Sequence, residues 1–305
     1  MKELKIYRVD TASCNGCDIE IVAMLAPKFK LGNLEFSIVE EPEEANALMV
    51  TGGLTAKSLK EVSSIYEKIK EEKLVIAVGA CAISKGVFQK GYPLKGGIDK
   101  VLPVDIYISG CPPRPHTMLL AFGNYFNIDL KKELKVLERT FPSARGLPIR
   151  DEKKCTACGA CVNLCPSEAL EMIEKEKKKI IKLKYWKCIY CGTCEEVCPE
   201  EAVKLSQEVT IFFKEKERAE NEIELTVLAC SLCGKSHATI PQRDAVLKRI
   251  LKNEAGFKNF ENEIVNWLNI CPDCSHRVQT IKRVKLRMFE IGKEILKNKR
   301  REDFH

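Results

Sequence analysis

Sixteen cysteines stand in this 305-residue chain, and in order they fall into four groups of four with none left over. The groups are Cys14, Cys17, Cys81 and Cys111; Cys155, Cys158, Cys161 and Cys165; Cys188, Cys191, Cys194 and Cys198; and Cys230, Cys233, Cys271 and Cys274. Thiolates in fours select iron–sulfur clusters or zinc. Disulfides are not expected, because MKELKIYRVD is no export signal and the cytosol keeps thiols reduced. The chemistry on offer is therefore electron transfer, structural metal binding, or both.

Composition narrows the setting. Apolar content of 45% supplies buried cores, and 30% charge of mixed sign argues against disorder. The length favours two or three domains. No apolar run approaches the roughly 18 residues of a membrane-spanning helix. The formal charge of +7 suggests nucleic acid only until the metals are counted. Three [4Fe–4S] clusters and one zinc, each on four thiolates, together contribute about −8, leaving the loaded protein at about −1. The basic runs 175–184 and 297–301 then read as solvated surface, and nucleic acid is not expected as a partner.

The middle of the chain is a repeat. Cys155-x-x-Cys158-x-x-Cys161-x-x-x-Cys165-Pro166 recurs 33 residues later as Cys188-x-x-Cys191-x-x-Cys194-x-x-x-Cys198-Pro199. This is the spacing of the bacterial two-cluster ferredoxin, in which the fourth cysteine of each run ligates the other cluster. One [4Fe–4S] cluster is thus expected on Cys155, Cys158, Cys161 and Cys198, and another on Cys188, Cys191, Cys194 and Cys165. The intervening IEKEKKKIIKLKYWKC alternates as a hairpin does.

The elements that must position the first group read as α/β. Strand-like KIYRV, EFSIVE, ALMVTGG, KLVIAVGACA and DIYISGCPPRP alternate with helical DIEIVAMLAPKF, SLKEVSSIYEKIKEEK and HTMLLAFGNYF. Such alternation predicts a parallel sheet with helices on both faces. Cys14, Cys81 and Cys111 each fall just past the carboxyl end of a strand, where ligands of open α/β sheets collect, and Cys17 opens a helix. Cys81 and Cys111 therefore complete the set begun by Cys14 and Cys17. Gly16, Gly79 and Gly110 beside them suit close approach of backbone to a bulky inorganic core.

At this point the residues resemble a family. CNGCDIE, VTGGLT, GACAISKGVF and SGCPPRP match, in order, the small subunit of energy-converting, membrane-associated NiFe hydrogenases such as formate hydrogenlyase. That subunit is related to the proximal-cluster subunit of respiratory complex I. The resemblance covers roughly residues 1–130. It implies a flavodoxin-like fold holding one proximal [4Fe–4S] cluster beside a large subunit that carries nickel and iron. Complex I relatives show adjacent cysteines where this chain has Cys14-x-x-Cys17, which favours the hydrogenase branch. The repeat, its lead-in ARGLPIRDEKKC and the trailing C-x-x-C pairs resemble a second, ferredoxin-like subunit of the same assemblies. Two subunits would then be fused here, with 131–152 as the linker between a 1–130 domain and a 153–210 two-cluster domain.

The segment 211–305 carries CSLCG and CPDC with two helical stretches, PQRDAVLKRILKN and NFENEIVNWLNI, between them. Cys230, Cys233, Cys271 and Cys274 read as a zinc-ribbon-like knuckle, with iron as the alternative. His237 and His276 read as surface residues, and Ile281, Val284, Met288, Ile291 and Ile295 as a helical stripe docked on this chain or a partner.

The function these readings imply is electron relay to the NiFe site for proton reduction to H2. The alternative is an equivalent subunit of a complex I-like quinone- or sulfur-reducing oxidoreductase. Expected partners are the NiFe large subunit, membrane-arm subunits, and a donor such as formate dehydrogenase, carbon monoxide dehydrogenase or ferredoxin. The expected location is cytoplasmic, peripheral to the membrane. Of the two acids in CNGCDIE, Asp18 reads as a charge favouring a helix N-terminus. The resemblance puts Glu20 at the subunit boundary, where a proton route could pass.

Overall fold

The computed structural model describes residues 3–128 except 28, 30, 71 and 92; residues 146–277 except 208–210, 217, 254–257 and 259; and residues 289–294 and 297. Most of the linker (residues 131–145 of it) lies outside these, as do residues 129 and 130 and Ile281, Val284, Met288 and Ile295 of the stripe; Ile291 is described and buried.

The chain divides into two compact units. One comprises Met1–Asp151, Ala160–Glu171 and Lys182–Asn221; the other comprises Glu152–Gly159, Met172–Ile181 and Glu222–His305.

In the first unit, the strands are β1 (Glu3–Asp10), β2 (Glu35–Ile38), β3 (Ala47–Thr51), the short β4 (Leu54–Thr55), β5 (Leu74–Val78), β6 (Leu94–Gly96) and β7 (Ile106–Ile108). Between them run helices α1 (Gly16–Met24), α2 (Ala56–Lys68) and α3 (Gly79–Ser84), with α4 (Pro115–Tyr125) after β7. The parallel strands pair in the order β2-β1-β3-β5-β7, while β4 and β6 form a separate ribbon. This is the flavodoxin-like order, and the order in which successive strands are added reverses between β1 and β3, which themselves run parallel. β3 and β5 are buried along their whole length, as their near-continuous apolar runs require. Helices α1 and α4 cover one face through Ile21, Met24, Met118 and Phe122; α2 and α3 cover the other through Val62, Ala82 and Ile83. Each fully buried Leu, Ile or Phe on these faces stabilises by roughly 1.5–3 kcal/mol relative to exposure.

Strand β8 (Pro148–Arg150), within the stretch read as linker, pairs antiparallel with β11 (Val203–Leu205). Strands β9 (Leu170–Lys175) and β10 (Lys178–Lys184) form the expected hairpin. The surprise follows the repeat. Strand β12 (Phe212–Phe213) returns to the parallel sheet and adds an antiparallel edge strand on β7.

The second unit is built on a four-stranded sheet in the order β14-β13-β10-β9, with β13 at Glu220–Ala229 and β14 at Ser236–Thr239. The expected helical stretches of its insert are present at Ile240–Asn253 and Glu261–Leu268. No helix among the described residues is long and apolar enough to cross a membrane.

Candidate metal centres

The first cysteine group gathers at the carboxyl ends of the parallel strands. Cys14 lies in the loop after β1, Cys17 in the first turn of α1, Cys81 in α3 directly after β5, and Cys111 in the loop after β7. From β1 the chain crosses to β2 on one side and then to β3 on the other, so the connections leaving β1 and β3 diverge and leave a crevice between them. Burial pushes the Cys17 thiol up to about 12, and Cys81, Cys111, Asp18 and Cys14 nearby push the same way. Burial likewise raises Cys81 to about 11, with Cys111 and Cys14 adding to it, and raises Cys111, with Cys14 adding. Four sulfurs that repel one another as anions form a site that a cationic core relieves. Gly79 supplies the room, since a Cβ there would stand 2.4 Å from the Cys17 sulfur, and its φ of +87° suits glycine alone. Cys14 and Cys111 remain exposed.

The loop that presents Cys14 and Cys17 is held by Asp18, whose importance the sequence reading missed. Its buried carboxylate accepts hydrogen bonds from Arg8 on β1, from Ser13 Oγ (2.7 Å) and from Thr51 Oγ1 (3.0 Å) at the end of β3. Burial pushes the carboxyl up, but the donors Ser13, Arg8 and Thr51 outweigh it and hold Asp18 below the usual carboxylate range. Removing one partner of a buried ion pair costs about 3–5 kcal/mol; Arg8, with 35% of its side chain exposed, lowers that figure here. Asp10 adds bonds to the backbone N–H groups of Ala12 and Ser13. A Cβ at Gly52 would meet Ser13 N at 2.5 Å, so the glycine of VTGG lets this loop lie against β3. Glu20, two residues beyond Asp18, is half-buried. Burial raises its carboxyl pKa, and the nearby Arg114 opposes that rise.

The repeat folds as a repeat. Positive φ recurs at Ala157 and Tyr190, Gly159 and Gly192, and Glu168 and Glu201, each pair one repeat length apart. Backbone N–H groups point at sulfur in both copies, from Ala169 to Cys165 and from Ala202 to Cys198, at 3.2 Å each. Within the first unit, Cys165 joins the second run. Burial pushes Cys188 up to about 12 and Cys194 to about 11, with Cys191 and Cys165 adding to both. One cavity is lined by Cys165, Cys188, Cys191 and Cys194 together, with Pro166 and Tyr190. Cys155 and Cys158 belong to the other unit.

In that second unit Cys230 directly follows β13, and Cys233-Gly234 makes the turn into β14. The sulfurs of Cys230, Cys233, Cys271 and Cys274 all lie within 4.8 Å of one another, and Cys233 and Cys271 are 3.7 Å apart. A tetrahedral ion with metal–sulfur bonds of about 2.3 Å separates its sulfurs by about 3.8 Å, so the set fits one ion. Four irons of a cubane would not fit between sulfurs so close. Burial pushes Cys230 up, but N–H donors from Cys271, Leu232 and Cys233 bring it down to about 6, favouring the thiolate. Lys235 pairs with Asp273 across the two knuckles at 2.8 Å, and Thr239 Oγ1 donates to the Thr156 carbonyl at 2.6 Å. His237 faces the Leu268 carbonyl, and neither it nor His276 joins the thiol set.

Residues 14–125 match the family model described as NADH ubiquinone oxidoreductase, 20 Kd subunit, and residues 154–202 match the 4Fe-4S dicluster domain. An uncharacterised protein of Methanocaldococcus jannaschii is 47% identical over 118 residues, which are 39% of this chain and 79% of that protein. A probable membrane-bound hydrogenase subunit of Pyrococcus furiosus is 36% identical over 141 residues, covering 46% of this chain and 82% of the relative. Formate hydrogenlyase subunit 7 of Escherichia coli is 40% identical over 118 residues, 39% of this chain and 46% of that subunit. By these matches and the thiol groups that its sheet edge and repeat assemble, the chain belongs to the 20 kDa oxidoreductase-subunit family shared by complex I and membrane-bound hydrogenases, and it carries a 4Fe–4S dicluster domain besides.

Proposed function

We propose that this chain is the electron-transfer subunit of a multi-subunit, membrane-associated NiFe hydrogenase of the formate hydrogenlyase type, serving proton reduction to H2. The observation that carries the reading is the convergence of Cys14, Cys17, Cys81 and Cys111 at an exposed sheet edge, in one unit with a dicluster cysteine set. Two relatives named as hydrogenase and formate hydrogenlyase subunits support it. Bound on the three four-cysteine sets, [4Fe–4S] clusters would supply one-electron transfer between a donor and a partner's centre.

The chain's own residues do the positioning. Asp18, Asp10 and Gly52 hold the Cys14–Cys17 loop in place, and the strand ends of β5 and β7 deliver Cys81 and Cys111. Ile19 and Val22 on α1 and Val87 and Phe88 after α3 stand 67, 57, 41 and 52% exposed near these thiols. Large apolar groups left open beside a surface cluster site support coverage by a large subunit. The four-cysteine knuckle is proposed as structural zinc, with iron as the alternative. Its turn closes the β13–β14 hairpin that extends the ferredoxin hairpin's sheet.

The test is isolation of the intact assembly through an affinity tag on this chain. Stoichiometric nickel with hydrogen evolution from a low-potential artificial donor is expected. A nickel-free assembly that reduces quinone or a sulfur compound would select the complex I-like alternative.

A further inference from the structure

Resting on that cluster reading, one feature of the first unit reaches further. After the repeat, the chain comes back along the edge of the parallel sheet. The Ser109 N–H donates to the Ile211 carbonyl at 2.9 Å, and Phe212 and Phe213 pair with Ile108 and Tyr107. Successive strand residues point to opposite faces, and Phe212 packs on the α1/α4 core while Phe213 packs on the α2/α3 core. Farther on, the Ala219 carbonyl accepts the N–H of Tyr185, at the start of the turn leading into Cys188. The segment therefore grips the strand that ends at Cys111 and the turn that begins the second cysteine run.

Lys216 sits at the centre of this grip. Its ammonium donates to the Ile83 carbonyl at 2.8 Å and to Asp99 Oδ2 at 2.7 Å, with 11% of its side chain exposed. Ile83 lies in the last turn of α3, the helix that carries Cys81, where a cation satisfies an orphan carbonyl and the helix dipole. The same ammonium stands 4.9 Å from the Tyr107 ring and 5.1 Å from the Trp186 ring. Trp186 lies two residues before Cys188, in the Tyr185–Lys187 turn that packs on α3. A direct bond crosses the same junction, from Ser109 Oγ to the Cys188 carbonyl at 3.1 Å.

We propose that the return segment, Ile211–Lys216 with Arg218 and Ala219, is an intrachain latch, with Lys216 as its positioning residue, that sets the gap between the Cys14/17/81/111 set and the Cys165/188/191/194 set. Electron transfer between groups in a fixed geometry is sensitive to small displacements. The latch gives the junction a rigidity that a covalent linker alone does not provide.

The test uses the full chain in its assembly, reduced with dithionite and read by electron paramagnetic resonance. Wild type should show magnetic interaction between the N-terminal cluster and a ferredoxin cluster. Lys216→Ala should keep the iron content while weakening that interaction. It should also lower turnover from the ferredoxin side by roughly tenfold or more, and Lys216→Arg should restore both. Lys73→Ala is the control. Lys73 likewise holds carbonyls at the end of α2, Tyr66 at 2.6 Å and Ile69 at 3.0 Å, away from the junction, and its loss should leave the interaction unchanged. Should Lys216→Ala fail to fold, Asp99→Asn weakens the same contact from its exposed side. Wild-type interaction in a fully loaded Lys216→Ala or Asp99→Asn variant overturns the latch, as does a fully loaded wild type with no interaction. A wild type short of the N-terminal cluster's irons would instead overturn the cluster reading on which the latch rests.

Discussion

Replacing Cys81 or Cys111 with serine abolishes hydrogen turnover while the signals of the two ferredoxin clusters persist. The expectation follows from where the thiols stand. Cys81 opens α3 and Cys111 follows β7; both add to the charge felt by Cys17, and Cys111 adds to that felt by Cys81. A serine hydroxyl keeps the shape but does not ionise near neutral pH, so the set loses one of four anionic ligands. The dicluster cysteines use none of these four residues and retain their own bonds from Ala169 and Ala202. Electron paramagnetic resonance and hydrogen evolution with an artificial donor read the two effects separately. Undiminished evolution would contradict the proposed proximal site.

A Glu20→Gln substitution lowers hydrogen production by roughly tenfold or more while reduction of the clusters by the donor stays normal. Hydrogen formation needs protons as well as electrons, and Glu20 lies on α1 one turn from Cys17, beside the exposed Ile19. Burial raises its carboxyl pKa, with Arg114 opposing, so the group holds its proton to higher pH than an ordinary glutamate and suits proton transfer. Glutamine preserves volume and most hydrogen bonding but carries no exchangeable acid. The competing account is a helix N-terminal charge, worth about 0.3–1 kcal/mol. On that account glutamine costs a little stability and leaves turnover unchanged. Asp18 differs from its neighbour, because Arg8, Ser13 and Thr51 occupy its oxygens and commit it to holding the loop.

What could be read from the residues alone was whatever depends on local spacing. The strand–helix alternation of the first 125 residues shows in the periodicity, and the position of each cysteine after a strand follows from it. The repeat was equally plain, since a C-x-x-C-x-x-C-x-x-x-C-P run wraps metal only at that spacing, and its paired positive-φ residues follow. The Asp18 network was hidden, because its partners Arg8, Ser13 and Thr51 meet only once β1 and β3 lie side by side. CNGCDIE shows an acid at a helix start and nothing of Thr51, one strand away. The latch was hidden for a different reason. A two-residue strand has no period to detect, and Phe212-Phe213 finds its place only on an edge formed a hundred residues earlier. The zinc-type knuckle was legible as a ligand set but not as the turn of a hairpin, since β13 reads as mixed polar and apolar sequence until β10 lies beside it.

Four four-cysteine sets are proposed to hold three cubanes and one single ion. Iron and zinc, quantified per chain in anaerobically purified protein, test this most directly. About 12 iron atoms and about one zinc are expected. About 13 iron atoms without zinc would keep the cubanes and place iron at the knuckle. About eight iron atoms would leave the Cys14, Cys17, Cys81 and Cys111 set without a cluster and contradict the account.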